Sequence, residues 1–141
     1  MRGHSADPER DFIELYRRLI FTILVSNKDD HLKNHGFLYT GRGQWRLSPM
    51  FDVNPAPDRN PHLETAIFEG GAHDRSIALA LDACEFFEIE TPDARALIRD
   101  LANTVAQHWR GALRDAGITS AQVRTFEPAF EHEEAELAQG L

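Results

Sequence analysis

A single cysteine, Cys84, stands among 141 residues, so no internal disulfide can form, and a reducing, cytoplasmic setting is the expectation. Cys84 lies in an apolar helical pattern and reads as a buried structural thiol. Apolar runs fall short of the roughly 18 residues a membrane span needs, and Met1 to Pro8 has no hydrophobic stretch of a signal peptide. Basic residues are also few. With 15 Lys and Arg against 23 Asp and Glu the formal net charge is -8, which argues against direct contact with a nucleic-acid backbone. Internal repeats, low-complexity tracts and flexible linkers are absent, so one domain over 1–141 is expected.

What is present reads as mainly α with one small hairpin, an α+β chain. Asp7-Pro8 is a helix-start signal, because Asp can cap the first amides and Pro is tolerated in the first turn. The spacing of Phe12, Leu15, Tyr16, Leu19 and Ile23 predicts a helix over Pro8 to Val25. Its second half, widened by Ile20, Phe21, Leu24 and Val25, is apolar nearly all round and should be buried. Gly36 to Thr40 and Gln44 to Leu47 flank Gly41-Arg42-Gly43, which predicts a hairpin. Pro49, Pro55, Pro57 and Pro61 mark a long loop. A short extended piece is expected over His62 to Phe68, then a helix over Arg75 to Glu88. Thr91-Pro92-Asp93, with Thr91 as capping hydroxyl, opens a long helix to about Ala116, stopped by Gly117. Leu97, Leu101, Val105, His108, Trp109 and Leu113 keep its helical spacing. Ser120 is expected to cap a last helix through Phe126, with Pro128 bending or restarting it, and the acidic end reads as a solvated helix or frayed tail. Trp45 and Trp109 read as core or interface aromatics. His4, His62, His73, His108 and His132 are scattered, and surface or packing roles are expected for them.

Two segments carry chemistry. The first, Ser26 to Asn34, reads S-N-K-D-D-H-L-K-N; the second, Ser48 to Pro55, reads S-P-M-F-D-V-N-P. In a kinase catalytic loop an Asp takes the proton of the attacking hydroxyl and an Asn five positions later binds Mg²⁺. Asp29 and Asn34 have that spacing, which Asp30 lacks. Mg²⁺ bridging nucleotide phosphates needs oxygen ligands from more than one segment, and Asp52 can supply the second. The hairpin between them is the geometric reason they can meet, since the residues before its first strand and after its second lie at the same open end.

The run D-D-H-L-K-N-H-G-F-L followed by W-R-L-S-P-M-F-D-V-N-P resembles the C-terminal domain of the HipA family, serine/threonine kinase toxins of bacterial toxin-antitoxin pairs. Asp29, His31, Lys33 and Asn34 match one family motif, with His35 where an aromatic is usual. Leu47, Pro49 and Asp52 match the second, with Phe51 in place of Tyr. The helix around Cys84 is also similar, so the resemblance covers roughly residues 10 to 115. It implies a kinase C-lobe in which Asp29 is the catalytic base, Asn34 and Asp52 hold Mg²⁺, and His31, Lys33, Phe51 and Asp52 face ATP. His31 is equally able to brace the loop, and Lys33 either neutralises the transferring phosphoryl or pairs with a neighbouring Asp. The resemblance further implies a protein substrate, in some members an aminoacyl-tRNA synthetase, and a DNA-binding antitoxin as partner.

A working kinase also needs a Gly-rich loop over the phosphates and a strand Lys paired to a helix Glu, and neither motif precedes Asp29. The chain is therefore expected to lack the nucleotide-clamp lobe and to be inactive alone, which leaves open whether it is itself an enzyme. Two other classes stay in view: a non-catalytic module docking an antitoxin or kinase partner, and a small-molecule phosphotransferase, which shares the Asp-to-Asn spacing. A zinc site from His31, His35 and the adjacent aspartates is the metal rival, unsupported by Cys or an H-E-x-x-H helix. A C-lobe alone should expose Phe37, Trp45 or Phe51, and a homodimer across that face is expected.

Overall fold

A computed structural model describes residues 3–28, 34–57 and 76–141. Helix α1 spans Pro8–Leu24, with Asp7 as its cap, the carboxylate accepting from the Arg10 amide at 3.3 Å. Strands β1 (Phe37–Gly41) and β2 (Gln44–Leu47) pair antiparallel, Phe37 opposite Leu47 and Tyr39 opposite Trp45. Gly41, Arg42 and Gly43 all have positive φ, which two glycines make affordable in so tight a turn. The segment at Ser5 runs beside β2: Trp45 N donates to His4 O at 2.8 Å and Ala6 N to Trp45 O at 2.9 Å.

The helices that follow are α2 (Ile77–Asp82), α3 (Thr91–Asp115), α4 (Ser120–Thr125), α5 (Glu127–Phe130) and α6 (Glu133–Gln139). The mainly helical architecture with one hairpin is as expected. The core is the apolar end of α1 packed on α3, with α6 against both. Tyr16, Ile20, Ile23 and Leu24 face Ile77, Ala80, Cys84, Ala94, Ile98, Val105 and Trp109 within it. Burial of about 1.5–3 kcal/mol per large apolar side chain is what holds these helices together. Tyr16 donates its hydroxyl to Ala80 O at 3.0 Å, and burial, with Cys84 adding to it, pushes its phenol pKa up. Cys84 is buried, as its pattern implied. Among the described residues no helix is long and apolar enough to cross a membrane.

Three local expectations are corrected. The helix predicted over Arg75 to Glu88 stops at Asp82, and a 3₁₀ turn over Cys84–Phe87 follows, ending in left-handed Glu88 at φ 60°. That reversal returns Ile89 to the core, its amide bonding to Cys84 O. Thr91 is not a cap: Glu90 holds the extended cap position, and the Thr91 hydroxyl meets Cys84 Sγ at 3.9 Å instead. Thr119, not Ser120, caps α4, because only Thr119 has a Gln three positions on to complete a capping box. The α3 end behaves as predicted. Gly117, at φ 90°, donates to Arg114 O while Ile118 N reaches Leu113 O, the paired bonds of a Schellman cap.

The acidic end is not frayed. Ala135 and Ala138 are buried on the core side of α6, and Glu134 Oε2 accepts the first amide of α2, Ile77 N, at 2.6 Å. His132, expected only to pack or face solvent, caps α6: Ala135 N donates to its Nδ1 at 3.2 Å, and its Nε2 lies 3.2 Å from Leu24 O. The extended piece expected over His62 to Phe68 lies outside the described residues.

Candidate functional site

The apolar end of α1 delivers the first chemical segment from a rigid support. Residues 22–27 are all buried. The chain leaves the helix through Ser26, at φ 55°, whose hydroxyl donates to Ala129 O at 2.8 Å. Asn27 follows, 1% exposed, its backbone amide bonded to Thr22 O at 3.0 Å. A polar side chain buried this deeply must find partners. Asn27 Oδ1 accepts the amide of Asn54 at 3.3 Å, from the second segment.

The two segments are tied at that point. Asn27 and Pro55 form an isolated antiparallel bridge, and Ala56 N donates to Ser26 O at 3.3 Å. Further out, Ser48 N donates to Gly36 O at 2.9 Å, extending the hairpin ladder toward its open end. A Cβ at Gly36 would sit 2.9 Å from Ser48 Oγ and 3.5 Å from the Phe51 ring, so a side chain there would make the Ser48 hydroxyl shift. The residues flanking the hairpin on either side therefore run side by side, as its topology implied.

Helix α1 also anchors the strand leading into the second segment. Arg18, buried, donates through Nη2 to Ser48 O at 2.5 Å and through Nε to Glu14 at 2.9 Å. Asp11, buried near the start of the helix, accepts from Ser5 Oγ at 2.6 Å and from Arg46 Nε at 2.9 Å. Burial works to raise the Asp11 pKa, but those bonds and the Arg46 charge more than offset it, so the net direction is down.

Of the predicted site residues, Asp29, His31 and Lys33 lie outside the described residues. Asn34 is 7% exposed, at the edge of the Gly36 segment. Phe51 is half exposed against Gly36. Asp52 is exposed and left-handed at φ 57°, and Asn54 Nδ2 donates to its Oδ1 at 3.2 Å. Four non-glycine residues among those described have positive φ. Arg42 and Glu88 belong to turns, while Ser26 and Asp52 sit in the two chemical segments. Left-handed backbone costs a non-glycine residue about 1–3 kcal/mol and gathers at functional sites.

The donor chemistry suits a hard cation. Asn34 carries an amide carbonyl and Asp52 a carboxylate, both oxygen ligands of the kind Mg²⁺ takes. Among the described residues Asp52 Oδ2 accepts no hydrogen bond, and no three His, Cys, Asp or Glu side chains gather as a softer site would need. Behind the second segment, Val53 and Pro55 wall an apolar cavity of about 310 Å³ whose floor includes Phe21, Val25, Trp109 and Phe130. Asn27 and Asn54, which make the frame, are the residues that motif reading passed over.

Residues 1–109 match the model of the HipA-like C-terminal domain. The chain belongs to that family. Its curated relatives include "Putative kinase Y4dM" of Sinorhizobium fredii, 28% identical over 71% of this chain and 24% of the relative. A second protein of that organism, "Putative kinase Y4mE", is 28% identical over 89% of this chain and 31% of its own length. A "Putative kinase" of Haemophilus influenzae is 38% identical over 32% of the chain and 14% of the relative. The HipA-like chain thus spans less than a third of the length of either Sinorhizobium protein, 24% and 31%.

Proposed function

We propose that the chain is the metal-binding and catalytic lobe of a HipA-like serine/threonine protein kinase, transferring the γ-phosphoryl of ATP to a protein hydroxyl. The observation that carries this reading is the pinning of Ser26–Asn27 to Asn54–Ala56, which holds the stretch leading to Asp29 beside the stretch following Asp52. Family membership and relatives named as putative kinases support it. In this reading Asp29 orients the substrate hydroxyl and takes its proton, and Asn34 and Asp52 hold Mg²⁺. Bound Mg²⁺ supplies bridging of the phosphate oxygens and neutralisation of developing charge. His31, Lys33 and Phe51 contact the nucleotide. The segment that leads to Asp29 leaves α1 through buried residues 22–27, the kind of support that positioning catalysis needs, since loose groups forfeit most of the rate.

Phosphate positioning by a Gly-rich loop and a strand Lys is not encoded in these 141 residues, so weak Mg-ATP binding and no useful phosphorylation are proposed for the chain alone. Phe37, Leu38, Tyr39, Trp45 and Phe51 are all exposed, which supports a docking role for the hairpin face. An antitoxin-type protein partner and a toxin role belong to the same proposal.

Titration calorimetry with ATP, with and without Mg²⁺, tests it. Weak, Mg²⁺-dependent binding is expected, with the dependence removed by Asn34→Ala and by Asp52→Ala. Binding that ignores both substitutions overturns the metal assignment, and micromolar affinity overturns the missing clamp.

A further inference from the structure

We propose that Asn27 and Asn54 are positioning residues that set the Asp52 carboxylate for its cation, an inference that rests on the reading of Asp52 as a metal ligand. The relay has two bonds whose directions are forced. A backbone amide can only donate, so Asn27 must present Oδ1 to Asn54 N at 3.3 Å. A carboxylate can only accept, so Asn54 must present Nδ2 to Asp52 Oδ1 at 3.2 Å. Neither amide can be flipped without losing its bond.

Each end of the relay is fixed differently. Asn27 is 1% exposed and held by the Thr22 carbonyl and the bridge to Pro55, so it moves only with the end of α1. Asp52 is exposed, on a left-handed backbone, and among the described residues its side chain is held by Asn54. Asn54 therefore occupies one carboxylate oxygen and leaves Oδ2 to face a ligand. It also transmits the position of α1 to the second segment, so that the stretch entering Asp29 and the carboxylate of Asp52 share one reference. Partners that orient a metal-binding carboxylate in this way are typically worth about ten- to a hundredfold in metal affinity.

The test is Mn²⁺ affinity of the 141-residue chain, read from the loss of the free-ion electron paramagnetic resonance signal. Asn54→Ala carries the decision because its side chain is exposed and its truncation leaves the core intact. Affinity is expected to fall about tenfold, the lower end for such partners, with an unchanged thermal midpoint by circular dichroism. Asn27→Ala should weaken Mn²⁺ binding in the same direction while also lowering the midpoint, since it empties a buried site. Wild-type affinity in Asn54→Ala, alongside loss of binding in Asp52→Ala, overturns the relay and leaves the metal reading standing. No binding by the wild-type chain, or full binding by Asp52→Ala, overturns both.

Discussion

Arg46 Nε donates to Asp11 Oδ1 at 2.9 Å, and this ion pair, with a longer one from Arg46 to Asp7 at 3.9 Å, fastens the second strand of the hairpin to the start of the long N-terminal helix. The Asp11 side chain is 2% exposed and that of Arg46 27%. Through it the strand that leads into Asp52 takes its position from the same helix that delivers Ser26 and Asn27. The chain from Arg46 to Asn54 is thus tied at two points, to Asp11 near the start of the helix and to Asn27 beyond its end.

Because the folded-state pKa of Asp11 is depressed, its contribution to stability is fully present above the unfolded value of about 3.9 and is lost as pH falls through the lower folded value. Asp11→Asn should therefore be less stable than wild type at neutral pH by about 1.5–3 kcal/mol, the worth of a hydrogen bond to a charged group. The difference should narrow below about pH 4. Urea unfolding at several pH values reads both, and a difference that does not change with pH contradicts the ionic role.

Trp109 stacks on Phe130 with ring centroids 4.6 Å apart and planes 9° from parallel. That contact ties α3 to α5, whose Ala129 carbonyl receives the Ser26 hydroxyl. Trp109→Ala should cost about 3–5 kcal/mol in urea unfolding. Hydrogen exchange should quicken at Ser26 and Asn27 as well as in α5. Loss confined to α5 would mean that the stack does not support the site.

The hairpin face gives a prediction about association. Trp45 is 41% exposed beside Phe37, Leu38 and Tyr39, and a second copy is the partner available to the purified chain. Light scattering should show a dimer that Trp45→Asp dissolves. A monomer in both cases removes self-association from the account.

Much of this was legible in the sequence where a local rule and a long-range need agree. Asp7-Pro8 and Gly117 act at short range and hold in the structure, as does the hairpin turn around Arg42. Thr119 was also legible in principle, since Gln122 stands three residues on, where Ser120 has Val123. Thr91 was not, because its hydroxyl is drawn to Cys84, a tertiary contact that capping rules do not contain. The acidic end is helical, as one of its two expected forms had it, but its docking was not legible: Glu134 finds the amide of Ile77, 57 residues away. The five-residue spacing singled out Asp29 and Asn34, and the hairpin that follows suggested Asp52 as the second ligand. The contact between Asn27 and Asn54 was hidden, since the two stand 27 residues apart and meet only in the folded chain.

The central claim is that Asn34 and Asp52 hold one cation beside the stretch that carries Asp29. An anomalous difference map from crystals of the chain grown with Mn²⁺ and ATP tests it most directly. The account predicts a single peak within about 2.1 Å of the Asn34 side-chain oxygen and of an Asp52 carboxylate oxygen, the distance typical of a small hard cation. A peak bound to other residues, or Asp52 turned away from Asn34 into a packing contact, would contradict it.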